Sequence, residues 1–456
     1  MQQVQELPYD LRPVNQDLRH IDGDYGWPLV GRSLELLRDP FGLFRRYHDR
    51  FGPVSRISMT GFNTVILNHP DYAEIVLKDS ENNFSAKKGW EPHMAAFFEG
   101  GLVMRDFGEH RVHRRIVQNS FKRANLIQYN EKVREICERT VTRWGEKGEI
   151  YFYDEIKRLL LDIAFGVFCW VDERDKDVDA INKAFSDMME GSIGMIRLEI
   201  PGTIYHRGLK GRRMLKEYFL RQIEKKRASD DQDAFAGFAK ATQEDGSYYS
   251  DEDIANHMVF LMLAAHDTTT SSATMAAYYL AHLPEVQAEL RAEIERTPRP
   301  LEYDTIFGGM PTMLGVFYET LRLHPPVPML LRRSIRECEI GGVRIPADTM
   351  VCVPIMAIHR LPDFWNDPET FDLHRYDEGV DDPNDHPYRW IPFGAGPHKC
   401  IGLLFARMLF AHLYTELFSR YELKFARPNY FPTKLQHFPF AKPVDRLPVK
   451  LVPRAR

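Results

Sequence analysis

Cys400 is the side chain of this sequence with the clearest chemical potential. It lies in the segment Phe393-Gly-Ala-Gly-Pro-His-Lys-Cys-Ile-Gly402, whose glycines allow unusual backbone angles and the close approach of a flat ligand. The apolar stretch LLFARMLFAHLYTELFSRY follows at once and predicts a helix, whose positive end favours a thiolate. A thiolate binds metals, although a single cysteine in a glycine-rich turn can also be a small buried hydrophobe.

Asp267 and Thr268 form a second candidate site, in the middle of the longest helical pattern. This pattern runs from about Ser250 to Leu283, with Ser250 as a plausible N-cap, acidic residues in the first turn and Pro284 at the end. At about 1.5 Å per residue the helix would be roughly 50 Å long. A carboxyl group within reach of a reacting atom can deliver protons, but a threonine inside a helix can also bond back to a carbonyl.

Two groups of charged residues complete the set. Glu319 and Arg322 are three residues apart and face each other on a helix, as in many exposed ion pairs. The segment Gly108-Glu-His-Arg-Val-His-Arg-Arg115 opens an early helix, and its simplest interpretation is a solvated basic face. Neither group indicates a function by itself.

The elements that must position these residues are mostly helices. β-branched runs between residues 52 and 76 predict strands of a small sheet, and from about residue 109 to 296 the apolar spacing is helical. After Arg322, Pro-rich turns alternate with short β-like runs, and a long loop from Leu361 to Pro397 precedes the last helix. We predict a single mainly α domain over residues 1–456 with a minor β region, in which about 1–25 form an N-terminal extension.

Composition excludes several classes of protein. The net charge of -5 and the pI near 6.4 show no bias toward nucleic acid, and 44% hydrophobic residues exclude a disordered chain. The five cysteines have neither disulfide-framework nor zinc-site spacing, which is typical of the reducing cytoplasm. The polar N-terminal segment has no apolar run of signal-peptide length, so we expect a cytoplasmic protein without a transmembrane anchor.

The pattern around Cys400, F-G-x-G-x-H-x-C-x-G, closely resembles the haem-binding loop of the cytochrome P450 family. The resemblance implies that Cys400 is the axial thiolate of a haem b iron, with Phe393, Gly394, His398 and Gly402 in the surrounding loop. Such a thiolate pushes electron density toward cleavage of the O–O bond. The family often has Arg where this chain has His398, but many bacterial members have His. The implied fold is a triangular helical domain with a long central helix and small sheets.

Other segments resemble the family in the same order along the chain. Glu319-Thr-Leu-Arg322 and Phe371-Asp-Leu-His-Arg375 match the segments whose Glu and two Arg residues form a buried network beside the cysteine loop. Breaking such a buried network is costly. We therefore expect Glu319, Arg322 and Arg375 to lie together.

The segment Ala264-Ala-His-Asp-Thr-Thr269 resembles the oxygen-activating stretch of the family. The resemblance implies that Ala264 lies against the haem, that Thr268 lies beside O2 or a water molecule, and that Asp267 relays protons inward. Ala265 departs from the usual Gly of the family, which predicts a tighter local groove.

Four residues are expected to hold the two haem propionates. His110 and Arg114 match a family segment in which His or Trp, then Arg four residues later, contact a propionate. Arg332 matches a further propionate-binding Arg, with Arg333 as the alternative one position later. With His398, these residues would supply the cations that two buried carboxylates need.

The resemblance also places substrate contacts in three apolar segments and the centre of the long helix. An apolar wall suits a hydrophobic ligand, although Met and Phe at helical spacing are more often ordinary core. The segment IPGTIYHRGLKGRRML and the His before Asp267 are closer to the sterol-demethylase and retinoid-hydroxylase branches, which favours a sterol, terpenoid or long-chain lipid substrate. The candidate contacts are Trp90, Phe97, Phe98, Met188, Met189, Ile193, Met195, Val327, Met329 and Leu330.

No flavin or iron–sulfur segment is visible, so electrons would come from a ferredoxin or flavodoxin with its NAD(P)H-dependent reductase. The partner would dock around Cys400, where Lys399, Lys122 and Arg123 could meet acidic residues. We expect a monomeric monooxygenase that uses O2 and hydroxylates a C–H bond. Two alternatives are a peroxygenase or isomerase on the same fold, which can dispense with the acid–alcohol pair, and a non-catalytic haem sensor or carrier.

Overall fold

The computed structural model describes residues 15–170, 178–192, 194, 197–377 and 386–454. Within these ranges the chain forms sixteen α-helices and twelve β-strands. The helices are α1 (Ser33–Arg38), α2 (Pro40–Phe51), α3 (Pro70–Lys78), α4 (Ala86–Phe98), α5 (Phe107–Asn119), α6 (Arg123–Lys147), α7 (Phe152–Ile163), α8 (Val178–Ser192), α9 (Ile204–Ala228), α10 (Ala234–Ala239), α11 (Asp251–His282), α12 (Pro284–Arg296), α13 (Tyr303–Gly308), α14 (Pro311–Leu323), α15 (Ile355–Ile358) and α16 (Leu403–Arg420). The strands are β1 (Val54–Met59), β2 (Phe62–Leu67), β3 (Phe84–Ser85), β4 (Glu149–Tyr151), β5 (Leu330–Ser334), β6 (Cys338–Ile340), β7 (Val343–Ile345), β8 (Met350–Val353), β9 (Tyr421–Phe425), β10 (Leu435–Gln436), β11 (Lys442–Pro443) and β12 (Pro448–Pro453).

The largest sheet has the strand order β1-β2-β8-β5-β3. Its first hairpin, in which Val54 faces Leu67 and Met59 faces Phe62, is the pair of strands predicted from the β-branched runs. β2 and β8 run parallel, whereas β5 is antiparallel to both β8 and β3. This sheet carries Arg332 and Arg333 on β5, where successive side chains point to opposite faces.

α11 is the central element of the helical part, as predicted. The Ser250 hydroxyl accepts a hydrogen bond from the Asp253 N–H at 3.1 Å, and three acidic residues occupy the first turn. The helix ends at its C-cap Leu283, before Pro284. Its side chains are buried on almost every side, because α7, α9 and α14 pack around it. Within the described ranges, no helix combines the length and the hydropathy needed to cross a membrane.

The main hydrophobic core lies among α6, α7, α11, α14 and α16, and two smaller cores lie against the largest sheet. Leu18 and Ile21 belong to one of the smaller cores together with Val54 and Val65. Residues 15–25 of the expected N-terminal extension are therefore packed onto the sheet. Residues 1–14 lie outside the described part.

Candidate active site

The backbone of the cysteine loop is fixed by its own hydrogen bonds and by contact with α3. The Cys400 N–H donates to the Phe393 carbonyl at 2.8 Å, which closes the loop. Gly394 and Gly396 have φ values of 66° and 63°, in the left-handed region. A Cβ atom at Gly396 would lie 1.9 Å from the Leu77 carbonyl oxygen. Glycine is therefore required at position 396 both by conformation and by space.

The Cys400 thiol lies just before α16. The backbone N–H groups of Gly402 and Leu403 donate to its sulfur, and the guanidinium of Arg114 is close enough to interact with it. Burial among protein atoms raises the pKa of the Cys400 thiol, and these donors and the arginine charge oppose that rise. The same donors would stabilise a thiolate. Arg114 also donates to the Lys399 carbonyl at 2.7 Å, so it ties α5 to the loop.

Beside the loop is a cavity of about 280 Å³. Its lining includes all four residues predicted to hold propionates, namely His110, Arg114, Arg332 and His398. The rings of His110 and His398 are 3.9 Å apart, centroid to centroid, at 31°. Residues that are up to 288 positions apart in sequence therefore surround one space.

The two histidines of this cavity are neutral at pH 7. Burial lowers the pKa of His110 to about 4, and the charges of Arg114 and Arg332 contribute. Burial lowers the pKa of His398 to about 2, with Arg332 as the strongest neighbouring charge. The expectation that His398 supplies a cation concerns the ring beside two propionates, and it stays a prediction. In the protein itself, Arg114 and Arg332 carry the positive charge, and the imidazoles can offer hydrogen bonds.

Arg332 and Arg333 lie on opposite faces of β5, and only Arg332 lines the cavity. Arg333 forms an ion pair with Asp348, with 2.5 Å between Nε and Oδ1. Arg332 points to the other face, lines the cavity and is 4% exposed, with a hydrogen bond of 2.9 Å to the neighbouring Leu331 carbonyl. Burial lowers the pKa of Arg332 to about 10. Such a buried cation is stabilised by an anionic ligand.

These residues fit the haem that the sequence resemblance implies. The buried Nε2 atom of His110 has no hydrogen-bond partner, and within the described ranges no carboxylate lies within ion-pair distance of Arg332 or Arg114. One side of the cavity therefore offers donors and charge to a pair of carboxylates. The thiol of Cys400, with its own backbone donors, suits a metal ligand.

Glu319, Arg322 and Arg375 form a buried ionic network, as the sequence motifs predict. Arg322 binds both carboxylate oxygens of Glu319 at 2.7 Å, and both side chains are 0% exposed. Arg375 Nε donates to Glu319 at 3.2 Å. Arg322 also donates to the carbonyls of Pro368 and Thr370, at 2.6 and 3.0 Å. Each partner of the network is thus satisfied inside the protein.

His359 connects this network to the cysteine loop, a role that no sequence motif predicted. Arg322 Nη1 donates to the His359 carbonyl at 3.0 Å. The Ile391 N–H donates to His359 Nε2 at 2.8 Å, so His359 carries its proton on Nδ1, which lies 3.2 Å from the Arg322 carbonyl. Burial lowers the pKa of His359 to about 3, which keeps the ring neutral. In the sequence, His359 lies in the run AIHRLP, and no neighbouring residue in that run indicates its role.

On α11, the Thr268 hydroxyl donates to the Ala264 carbonyl at 2.8 Å. This is the back-bonding alternative that the sequence left open, and it leaves the oxygen of the hydroxyl free to accept. Phe260, Ala264 and Thr268 are only partly buried, although most of the helix is fully buried. Their four-residue spacing places them on one helix face, which is less buried than most of the helix.

Asp267 points to a different side of α11 from Thr268 and has basic neighbours. Its side chain is 4% exposed and lies 3.1 Å from His266 Nδ1 and 3.9 Å from Lys157 Nζ on α7. His266 Nε2 lies 3.1 Å from the Lys157 carbonyl. Lys157 is 31% exposed, so the group connects the buried carboxyl to solvent. Lys157 has no local motif that could have revealed this position.

The candidate substrate residues fall into three groups. Phe98 lies beside α11, with its ring 5.8 Å from that of Phe260. Trp90 and Val327 are partly buried. Phe97, Met188, Met189 and Met329 are buried, which agrees with ordinary core, the alternative that the sequence left open, and their contact with substrate stays a prediction. Leu330 is partly buried on β5, and Ile193 and Met195 lie outside the described residues.

Of the cations expected at the partner-docking face, Lys399 and Lys122 are exposed. Arg123 is also exposed but forms an ion pair with Asp304 at 2.6 Å. Its charge is therefore partly neutralised within the chain, and the expectation that these cations meet an acidic partner stays a prediction.

Comparison with known proteins assigns this arrangement to a family. The model of the family described as Cytochrome P450 matches residues 22–450. The chain is 34% identical to cytochrome P450 136 of Mycobacterium tuberculosis over 97% of this chain and 90% of that protein. It is 26% identical to abscisic acid 8'-hydroxylase 2 of Arabidopsis thaliana, over 96% and 91% of the two chains.

The fold is also that of a solved family member. The structure described as retinoic acid bound cyanobacterial CYP120A1 superposes with a TM-score of 0.83 at 23% identity and covers 95% of this chain and 99% of that one. The mainly helical architecture with small sheets is therefore confirmed. The protein belongs to the cytochrome P450 family and is a haem-thiolate monooxygenase, with an iron haem bound through a cysteine.

Proposed function

We propose that Cys400 is the haem ligand and that this enzyme hydroxylates a hydrophobic substrate derived from isoprene units, a terpenoid or a sterol. The observation that carries the assignment of the centre is the cavity beside the cysteine loop, where two arginines and two neutral imidazoles converge. When bound, the haem supplies the activation of O2 and the insertion of one oxygen atom into a C–H bond. The chain's own residues hold the cofactor, deliver protons and shape the substrate space.

Arg114 and Arg332 would neutralise the two propionates, and His110 and His398 would donate hydrogen bonds to them. Arg114 has a second role, because it also contacts the loop next to the thiolate. Phe393, Gly394 and Gly402 would form the wall of the loop around the metal ligand. Gly402 has an ordinary φ of -78°, and a Cβ there would lie 3.7 Å from the sulfur, so its contribution is its N–H group.

Asp267 and Thr268 would deliver protons to the oxygen side. Lys157 links Asp267 to solvent, and a rotation of the Asp267 side chain would carry its proton from that side toward Thr268. The Thr268 hydroxyl, held by the Ala264 carbonyl, would accept a hydrogen bond from an incoming water molecule. This pair favours oxygen activation over a peroxygenase, an isomerase or a haem sensor, none of which requires it.

The substrate class rests on the apolar wall and on the relatives. Phe98, Phe260 and Ala264 would border the substrate space, and none of them is charged. A similar plant enzyme is named for abscisic acid, and the similar cyanobacterial structure holds retinoic acid. Both molecules are terpenoid acids. Long-chain lipids, which the sequence also favours as substrates, would fit the same apolar wall.

We propose that a separate ferredoxin or flavodoxin, with its reductase, supplies electrons at the face that carries Lys399 and Lys122. The enzyme would act as a monomer in the cytoplasm, with residues 1–456 as one domain.

Titration of the purified holoenzyme with retinoic acid, abscisic acid, lanosterol and palmitic acid tests the substrate class by the shift of the Soret band. We expect saturable shifts with one or more of the first three. Binding of palmitic acid alone would contradict the terpenoid assignment.

A further inference from the structure

A buried arginine on α9, Arg212, fastens the end of α4 to two other helices. Its Nε donates to the Phe97 carbonyl at 3.2 Å, and its Nη2 donates to the Glu99 carbonyl at 3.0 Å. Nη2 also lies 3.4 Å from Asn256 Oδ1 on α11. The residue is 8% exposed. One guanidinium thus joins α4, α9 and α11.

The charge of Arg212 is stabilised by a helix end. Among the residues that the structure describes, no carboxylate lies within 4 Å of this guanidinium. Burial lowers the pKa of Arg212, while the more distant charges of Glu99 and Glu252 oppose that change. α4 ends at Phe98, and the last carbonyls of a helix lack partners within the helix and carry a partial negative charge. Arg212 therefore caps the C-terminus of α4 with both hydrogen bonds and charge.

The chain that follows α4 is pressed against α11. Gly100 has a φ of 73°, and a Cβ atom there would lie 2.4 Å from Asn256 Nδ2. A Cβ atom at Gly101 would lie 2.9 Å from three side-chain atoms of Phe260. This close contact fixes the distance between the loop and α11, and Arg212 holds the carbonyls of Phe97 and Glu99 just before it. Phe98 is held between these two attachments.

The position of Phe98 matters because of its neighbour on α11. Its ring lies edge-on to Phe260, on the partly buried helix face that continues to Ala264 and Thr268. Phe260 precedes Thr268 by eight residues, or about 12 Å along the helix. A ligand with one end at Thr268 and a length of about 12 Å would reach the Phe98–Phe260 pair.

We propose that Arg212 is a positioning residue for substrate binding, which holds Phe98 against Phe260 and so fixes the far wall of the substrate space. This inference rests on the proposed function, since it takes the Phe260–Thr268 face as the substrate side. The guanidinium of Arg212 is engaged with Phe97, Glu99 and Asn256, so it would act on a ligand only through the loop. Its effect should therefore depend on the length of the ligand.

Hydrogen–deuterium exchange and ligand titration of the holoenzyme test this proposal in Arg212→Met, Arg212→Lys and Arg213→Met. Arg213 is the matched control, because it is the next residue of α9 and forms an exposed ion pair with Glu199 at 3.3 Å. In Arg212→Met we expect faster exchange confined to residues 97–104. The Kd of the tightest terpenoid ligand should rise about tenfold, because the released loop would be in its binding-competent position only about a tenth of the time. The Kd of imidazole, a short ligand of the haem iron, should stay unchanged. Arg212→Lys should give a smaller change, and Arg213→Met none.

Unchanged exchange in residues 97–104 together with an unchanged terpenoid Kd would overturn the proposal. An equal weakening of imidazole and terpenoid would also overturn it, because it would indicate general damage. If Arg212→Met does not fold, Arg212→Lys decides by the same two measurements. If the wild type binds no terpenoid, that result contradicts the proposed substrate class. The exchange rates of residues 97–104 then test the role of Arg212 by themselves.

Discussion

His359 and Ile391 are joined by a hydrogen bond of 2.8 Å from the Ile391 N–H to the imidazole Nε2. Because Arg322 binds the carbonyl of the same histidine, this bond links the buried ionic network to the segment that leads into the cysteine loop. The network therefore has a structural route to Cys400 that does not depend on the cofactor. Its loss should disturb both folding and cofactor retention.

The first prediction concerns the network itself. Glu319→Gln removes the charge that Arg322 and Arg375 share, and breaking a fully buried pair should lower the free energy of unfolding by about 3–5 kcal/mol. Urea denaturation and the ratio of haem to protein measure the effect. Glu337→Gln breaks an exposed pair with Arg344 and should cost less than about 1 kcal/mol. Equal costs for the two variants would contradict the role of the network.

The second prediction separates two neighbouring arginines. Arg332→Met should speed the loss of haem to an excess of apomyoglobin by about tenfold or more, because a charged hydrogen bond to a propionate is lost. Arg333→Met breaks the ion pair with Asp348 on the other face of β5 and should leave the rate of haem loss within about twofold of wild type. The reverse order would show that Arg333 holds the propionate.

The third prediction concerns proton delivery. Asp267→Asn and Thr268→Val should each lower the rate of substrate oxidation about a hundredfold, which is typical of a lost proton-transfer group, while the spectrum of the reduced carbon monoxide complex is retained. Thr274→Val is the control, because Thr274 is a buried threonine of the same helix that bonds back to Thr270 at 2.7 Å. A non-catalytic haem sensor, in contrast, would show no difference among the three variants.

Lys157→Met gives a fourth, smaller effect. It leaves Asp267 in place but removes the cation 3.9 Å from its carboxylate and the exposed end of the route to solvent. We expect a several-fold lower oxidation rate and a larger kinetic solvent isotope effect. If both quantities stay at their wild-type values, protons reach the site by another route.

The fifth prediction is a pH dependence of stability. Burial lowers the pKa of His412 to about 3, and its Nε2 lies 2.7 Å from Asn130 Oδ1. An unfolded histidine has a pKa of about 6.5. Below that pH the unfolded chain therefore binds a proton at His412, whereas the folded protein does not. Stability should fall as the pH drops from 6.5 toward 3. His412→Gln keeps a donor for Asn130 and should reduce this slope by about 1.4 kcal/mol per pH unit between pH 6 and 4.5. Parallel stability curves for wild type and variant would exclude the effect.

How much of this was visible in the sequence depends on whether the determining contacts are local. The Ser250 cap, the glycines of the cysteine loop and the Glu319–Arg322 spacing act within a few residues, and their elements lie where the sequence predicted them. Lys157 is 110 residues from Asp267, and no local pattern pairs them. The same limit applies to Arg212, whose partners are the carbonyl groups of a helix end more than a hundred residues earlier.

Two ambiguous assignments needed the three-dimensional surroundings. The motif order left Arg332 and Arg333 one position apart, and only the side of β5 on which Asp348 lies separates them. The protonation of His398 likewise depends on burial and on Arg332 beside it, which the loop sequence does not encode. Phe97, Met188 and Met329 are apolar in any interpretation, so composition could not distinguish a core residue from a ligand contact.

The assignment of Cys400 is tested most directly by the absorption spectrum of the reduced protein with carbon monoxide. The purified holoenzyme should show the red-shifted Soret band of a thiolate-bound complex, and Cys400→Ser should abolish that band. Cys352→Ser, which alters a buried thiol on β8, should retain it. A wild-type spectrum without the red-shifted band, or a band that survives in Cys400→Ser, would contradict the account.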